Sequence, residues 1–161
     1  MQIQSIENRN CCYIAGRPDV PSGYACVLEY EFNQLLARGV TNFLFTGLEP
    51  FERLCLETLQ KLQKCYDYIP IRLTLIGSDA KWLADYQENF DALLCLCRNT
   101  TPRHRPSRYA IQNSGFLFYY QKTDFGGAFS EISYGRDKGL CLVNVANSQM
   151  EADKYPYTAF L

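Results

Sequence analysis

At 161 residues the chain is long enough to bury one core without a metal or disulfide staple, and too short for two full domains, so a single domain over 1–161 is expected. Its 16 Lys and Arg against 17 Asp and Glu leave a formal charge of -1, which excludes a global basic field for duplex nucleic acid and an acidic tail. No run approaches the roughly 18 apolar residues of a membrane span, and MQIQSIENRN at the start has neither an apolar signal core nor a basic amphipathic period, so a soluble cytoplasmic protein with no membrane partner is expected.

CCYIAG (11–16) is a short apolar run closed by glycine, and RPDVPSG after it reads as a loop. From Tyr24 to Arg38 the apolar residues Tyr24, Val27, Leu28, Phe32, Leu35 and Leu36 recur at three- and four-residue steps, which predicts a helix, and Gly39 stands where a C-terminal cap belongs. NFLFTG (42–47) predicts the second strand. The helix after it carries Pro50 in its first turn and a stripe of Phe51, Leu54, Cys55, Thr58, Leu59 and Leu62; Glu52 and Arg53 either reach a ligand at the strand ends or form the wet side. IRLTLI (71–76) is the third strand, Ser78 is placed to cap a helix running to about Glu88, and DALLCLC (91–97) is the fourth. A loop with Pro102 and Pro106 leads to a short helix at 107–112, and FLFYY (116–120) and LCLVNV (140–145) flank a last helix. The aromatic tail residues Tyr155, Tyr157 and Phe160 either fray or dock on the body.

Apolar strand runs alternating with helices describe crossover units, and strands without polar alternation need both sheet faces covered. The predicted fold is therefore α/β, a Rossmann-like three-layer sandwich with a mostly parallel sheet. Cysteines 11, 12, 26, 55, 65, 95, 97 and 141 fall mostly inside apolar runs, where Cys is a small buried hydrophobe of a reducing compartment. Cys95 and Cys97 would share one strand face, but no second pair has a knuckle spacing and His104 sits in an Arg- and Pro-containing turn, so no metal is expected.

In such a sheet, ligands bind beyond the carboxyl ends of the strands, where strand order reverses. The loops there carry Gly16 and Arg17, then Thr46, Gly47 and Glu49, then Gly77 and Ser78, and finally Gly126 and Gly127 with Glu131 just after them. Glycines at strand ends let backbone N–H groups approach phosphate, and a carboxylate beside a helix N-terminus stays ionised and accepts hydroxyl hydrogens. No loop holds a complete G-x-G-x-x-G or a P-loop, which disfavours a conventional dinucleotide dehydrogenase or ATPase. Arg17 and Arg108 suit phosphate oxygens, whereas Arg103, His104, Arg105 and Arg108 form too small a basic run for more than weak, salt-sensitive nucleic-acid contact. Tyr109, Tyr119 and Tyr120 could stack on a base or pack at the sheet's end, and Trp82 could close a pocket or enter a subunit contact.

Taken in order, IAGRPD, GVTNFLFTG, IRLTLIG, FDALLCLC, SRYAIQNS, FLFYY, GGAFSEISYGRDKG and LCLVNV resemble the YpsA-like family of the SLOG superfamily, whose Rossmann-like members include the LOG and DprA proteins. The resemblance covers residues 11 to about 145. It implies a pocket for a nucleotide or nucleotide derivative of the AMP, ADP-ribose or NAD kind, held by Gly16, Arg17, Gly47, Gly126 and Gly127, with no further cofactor. The alternative it implies is a LOG-like phosphoribohydrolase that cleaves the N-glycosidic bond of nucleoside 5'-monophosphates, with Glu131 and Arg108 matching the catalytic glutamate and arginine. The sequence departs from these patterns: the glycine segment lacks its leading proline, no His precedes Arg17, and GLEPFERLC lacks the second glycine and the aspartate. The resemblance and the aromatic content of the helices also predict a homo-oligomer.

Overall fold

The structure, a computed structural model, describes residues 9–16, 20–21, 23–96, 105–121 and 129–148, with Phe129 described by its backbone alone. Arg17, Gly126, Gly127, Cys97, His104 and the aromatic tail lie outside the described residues. The strands are β1 (Cys11–Ile14), β2 (Asn42–Phe45), β3 (Arg72–Gly77), β4 (Ala92–Cys95), β5 (Phe116–Tyr119) and β6 (Cys141–Asn144). They form one sheet in the order β4-β3-β2-β1-β5-β6, and every neighbouring pair is parallel. The expected mostly parallel sheet is thus parallel throughout its described strands.

A parallel strand cannot return through a tight turn, so each connection crosses a face and covers it. On one face α1 (Ala25–Ala37) and α2 (Pro50–Cys65) bury Cys12, Ile14, Phe43, Phe45, Phe116 and Phe118. The Phe32 ring of α1 stacks on Phe118, with centroids 4.4 Å apart, and meets Phe43 edge-on at 5.5 Å. On the other face α4 (Pro106–Gln112) and α5 (Phe129–Asp137) cover Tyr13, Ala15, Leu44, Ile76 and Leu117. Gly135 lets α5 approach closely, because a Cβ there would lie 3.0 Å from the Leu117 side chain.

The predicted stripe of α1 is buried throughout. Its end is a Schellman motif: Gly39, at φ +89°, donates to the Leu36 carbonyl, and Val40 donates to that of Leu35. The short α3 (Ala80–Ala84) differs from expectation. Asp79 rather than Ser78 caps it, accepting from Lys81 N at 3.0 Å, and the helix stops at Ala84. Beyond that point successive turns close on carbonyls three residues back, which keeps Trp82 and Tyr86 on the core side without continuing the helix. Trp82 packs across Gly77 and edge-on to Tyr86 at 5.4 Å, within its own chain.

The cysteines also need a correction. Cys12 and Cys55 are buried, but Cys65, Cys95 and Cys141 are exposed, the last two because β4 and β6 are edge strands covered less fully than the inner four. Among the described residues no cysteine is in a disulfide, and no helix is long and apolar enough to cross a membrane.

Candidate functional site

Strand order reverses between β1 and β5, so the connections leaving these two strands diverge to opposite faces and open a crevice beyond their carboxyl ends. Tyr13 is the third residue of β1 and its ring is buried against the α4 and α5 face. Its hydroxyl donates to Glu131 Oε2 at 2.6 Å, and the Thr46 hydroxyl lies 2.8 Å away. With the phenolic proton committed to the carboxylate, Thr46 is the donor in the second bond. The chain Thr46 to Tyr13 to Glu131 therefore ties the end of β2, the centre of β1 and the first turn of α5 together, each bond polarising the next. Burial pushes the Glu131 carboxyl above its ordinary range and the Tyr13 bond pulls it partly back. Burial and then the Glu131 charge drive the Tyr13 phenol well up.

A second carboxyl sits beside this chain. Glu52, in the first turn of α2, is only 4% exposed. It closes a capping box in which Glu49 N donates to Glu52 Oε1 at 2.9 Å. Gly16 and Gly47 make room for it. A Cβ on Gly16 would come within 2.6 Å of the Glu52 carboxyl, and one on Gly47 within 3.1 Å. Burial raises the Glu52 carboxyl to about 7 against the opposing pull of the Glu49 N–H, and the Glu131 charge adds to the rise.

Of the residues expected at a site, Glu131, Gly16 and Gly47 come together at this edge. The two glycines have a concrete structural duty there, which is to admit the Glu52 carboxyl. Glu52 is buried rather than on the wet side of its helix, while Arg53 is exposed and lines a shallow depression of about 360 Å³ with Leu48, Pro50 and Glu57. Arg108 stands apart from the carboxylates. Its guanidinium lies over the Tyr134 ring, 4.6 Å from the centroid, one turn beyond Glu131 on α5. Among the described residues the ion pair formed is Lys61–Glu29, so Arg108 is not paired with Glu131. Arg17, Gly126 and Gly127 fall outside the described residues.

Tyr119 and Tyr120 are buried, Tyr120 edge-on to Tyr24 at 5.2 Å, which gives them a packing role at the sheet's end. At the end of β5 the buried Gln121 side-chain oxygen has no hydrogen-bond partner among the described residues. No group of three or more His, Cys, Asp and Glu among the described residues could hold a metal ion.

Neither a scan of protein-family models nor a search of curated proteins finds a match to this chain.

Chemically, the edge offers two carboxyl groups in unlike surroundings. Glu131 keeps a hydroxyl donor and can accept from further hydroxyls, whereas Glu52, with a backbone N–H as its donor among the described residues, exchanges a proton near neutral pH. Tyr13 escapes a sequence reading because its partner Glu131 lies 118 residues along the chain and no local spacing encodes that contact, whereas Thr46 stood in the strand-end loop already singled out. Glu52 did carry a signal: it stands three, four and seven residues before Cys55, Leu56 and Leu59, all buried on the same helix face.

Proposed function

We propose that the chain is a YpsA-like member of the SLOG superfamily that binds a nucleotide or nucleotide derivative of the AMP, ADP-ribose or NAD kind in the crevice beyond β1, β2 and β5. The observation that carries this reading is the Tyr13–Glu131 hydrogen bond of 2.6 Å where strand order reverses, because it fixes an acceptor carboxylate where a ribose would lie. Glu131 accepts from ribose hydroxyls, Arg17 and Arg108 supply charge to phosphate, and the backbone of Gly126 and Gly127 approaches the phosphate oxygens. Thermal melting with AMP, ADP-ribose and NAD tests it. A ligand at about one hundred times its dissociation constant stabilises the native state by about 2.7 kcal/mol. Glu131→Gln is expected to shrink that shift. Melting curves indifferent to all three compounds would remove the proposal.

A second reading is favoured by Glu52, whose carboxyl titrates at about 7 beside Glu131. Cleavage of an N-glycosidic bond needs an anchored 5'-phosphate, a carboxylate near C1' to stabilise oxocarbenium character, and a proton for the departing base. Glu131 serves as that carboxylate and Glu52 as the neighbouring proton store. Chromatography for released base from nucleoside 5'-monophosphates decides between the readings. Release lost in Glu131→Gln supports the hydrolase, and bound nucleotide with no base released by the wild type leaves the binding module alone.

Self-association as a two-fold dimer belongs to the same reading. Phe32 and Phe51 of α1 and α2 are spent on the core, so the dimer rests on the family resemblance and not on helix aromatics. Sedimentation of the same samples as an 18.5 kDa species at all concentrations would exclude it.

A further inference from the structure

The opposite edge of the sheet, where strands begin, holds a cavity of about 530 Å³ walled by Arg9, Arg38, Lys138, Ser114, Phe116 and Leu140, with no Asp or Glu among the described residues of its lining. Its size falls in the range of about 300–1,000 Å³ typical of small-ligand sites. None of the three cations is in an ion pair among the described residues.

Arg38 and Lys138 occupy matching positions. Each is the residue after the last turn of its helix, α1 or α5, and each is followed by a glycine in the left-handed region, Gly39 at φ +89° and Gly139 at φ +85°. Cations at such places ordinarily answer the negative end of a helix, and that duty must be subtracted first. α1, α4 and α5 all end at this edge. At roughly half a negative charge per helix end, three cations leave an excess of about one and a half positive charges. A phosphate monoester carries about one and a half to two negative charges at neutral pH.

The backbone cannot provide the recognition. Gly115 N donates to Cys11 O at 3.0 Å, Gly139 N to Arg136 O at 3.0 Å, and Cys141 N to Gly115 O at 2.9 Å. Recognition therefore falls to side chains, and these are already in place. The Arg38 guanidinium lies 4.8 Å from the Phe116 ring centroid, and the Lys138 ammonium lies 5.4 Å from that of Tyr134. Long cationic side chains held on ring faces lose less freedom when a ligand arrives. In the same wall Ser114 is 3% exposed; its hydroxyl, with no hydrogen-bond partner among the described residues, lies beneath the cavity surface, so the cations carry the recognition.

We propose that this cavity is a second ligand site, on the sheet edge opposite the carboxylate cluster, and that it takes a small phosphate monoester. Arg9 and Arg38 grip the phosphate oxygens, Lys138 adds a point charge, and Phe116 and Leu140 face the organic part. The test is an amide-resolved NMR titration of the full chain with phenyl phosphate, and with phenol as the same body lacking the charge. Saturable shifts are expected at Arg9, Gly115, Lys138 and Gly139 with phenyl phosphate only. Arg38→Gln and Lys138→Gln should each weaken binding about tenfold or more, as loss of a charge-assisted hydrogen bond implies. Glu131→Gln should leave it unchanged. Lys138 is exposed, so its variant stays informative even where Arg38→Gln folds poorly. Shifts that are absent, unsaturable, confined to the carboxyl edge, matched by phenol or indifferent to both substitutions would overturn the site.

Discussion

Glu52 is a carboxyl group that the fold prefers to keep protonated. Its ordinary value is 4.5 and burial raises it to about 7, so between these values the folded protein binds more protons than the unfolded chain. Stability linked to this group is fully present below pH 4.5 and is lost as pH rises through about 7, a swing on the order of 3 kcal/mol. Glu131 shifts in the same direction and adds to the slope. Glu52→Gln keeps an acceptor for the Glu49 N–H but cannot ionise. It is expected to melt above the wild type at pH 8, to lose that advantage near pH 4.5, and to flatten the curve between. An unchanged slope in urea titrations across this window would refute the burial account. The position of Glu52 was written in the helical period, but its charge argued for the wet side. Only the packing of Gly16 and Gly47 around it shows why the charge gives way.

At the scale of elements, the same carboxyl decides how α2 starts. Gly16→Ala would bring a Cβ within 2.6 Å of a buried carboxyl that cannot swing away without leaving the Glu49 N–H, so both the cap and the packing suffer. The expected cost is about 1–3 kcal/mol. Gly47→Ala, whose Cβ would come no nearer than 3.1 Å, should cost less. Equal losses in denaturant titrations would contradict the geometry. The elements themselves were readable because apolar runs and three-to-four-residue steps are local quantities. The Gly39 cap was readable for the same reason, since a left-handed residue after a helix is a local demand. The end of α3 was not. Trp82, Leu83, Tyr86 and Phe90 keep helical spacing, and turns closing three residues back satisfy that spacing as well as a helix would. The exposure of Cys95 and Cys141 depends on which strands are outermost, and strand order is a property of the assembled sheet.

Over the whole molecule, one sheet with one buried layer on each face should unfold as a unit. Trp82, the chain's single tryptophan, reports from the β3 and β4 side, while far-ultraviolet circular dichroism averages over every helix. The two transitions in urea are expected to coincide, and a separate tryptophan transition would mean that β5 and β6 fold as a distinct unit. The strand order has a consequence for how the protein comes into being. β1 emerges from the ribosome before the other described strands, finds β2 soon afterwards, and then waits for β5 while β3 and β4 are made, because no other described strand lies along its second side. Until residues 116–119 appear, the nascent chain presents a central strand rather than a peripheral one as an open template. That strand carries Cys12, Tyr13 and Ile14, so the segment most in need of shelter from chaperones during synthesis is also the one on which the carboxylate cluster is later built.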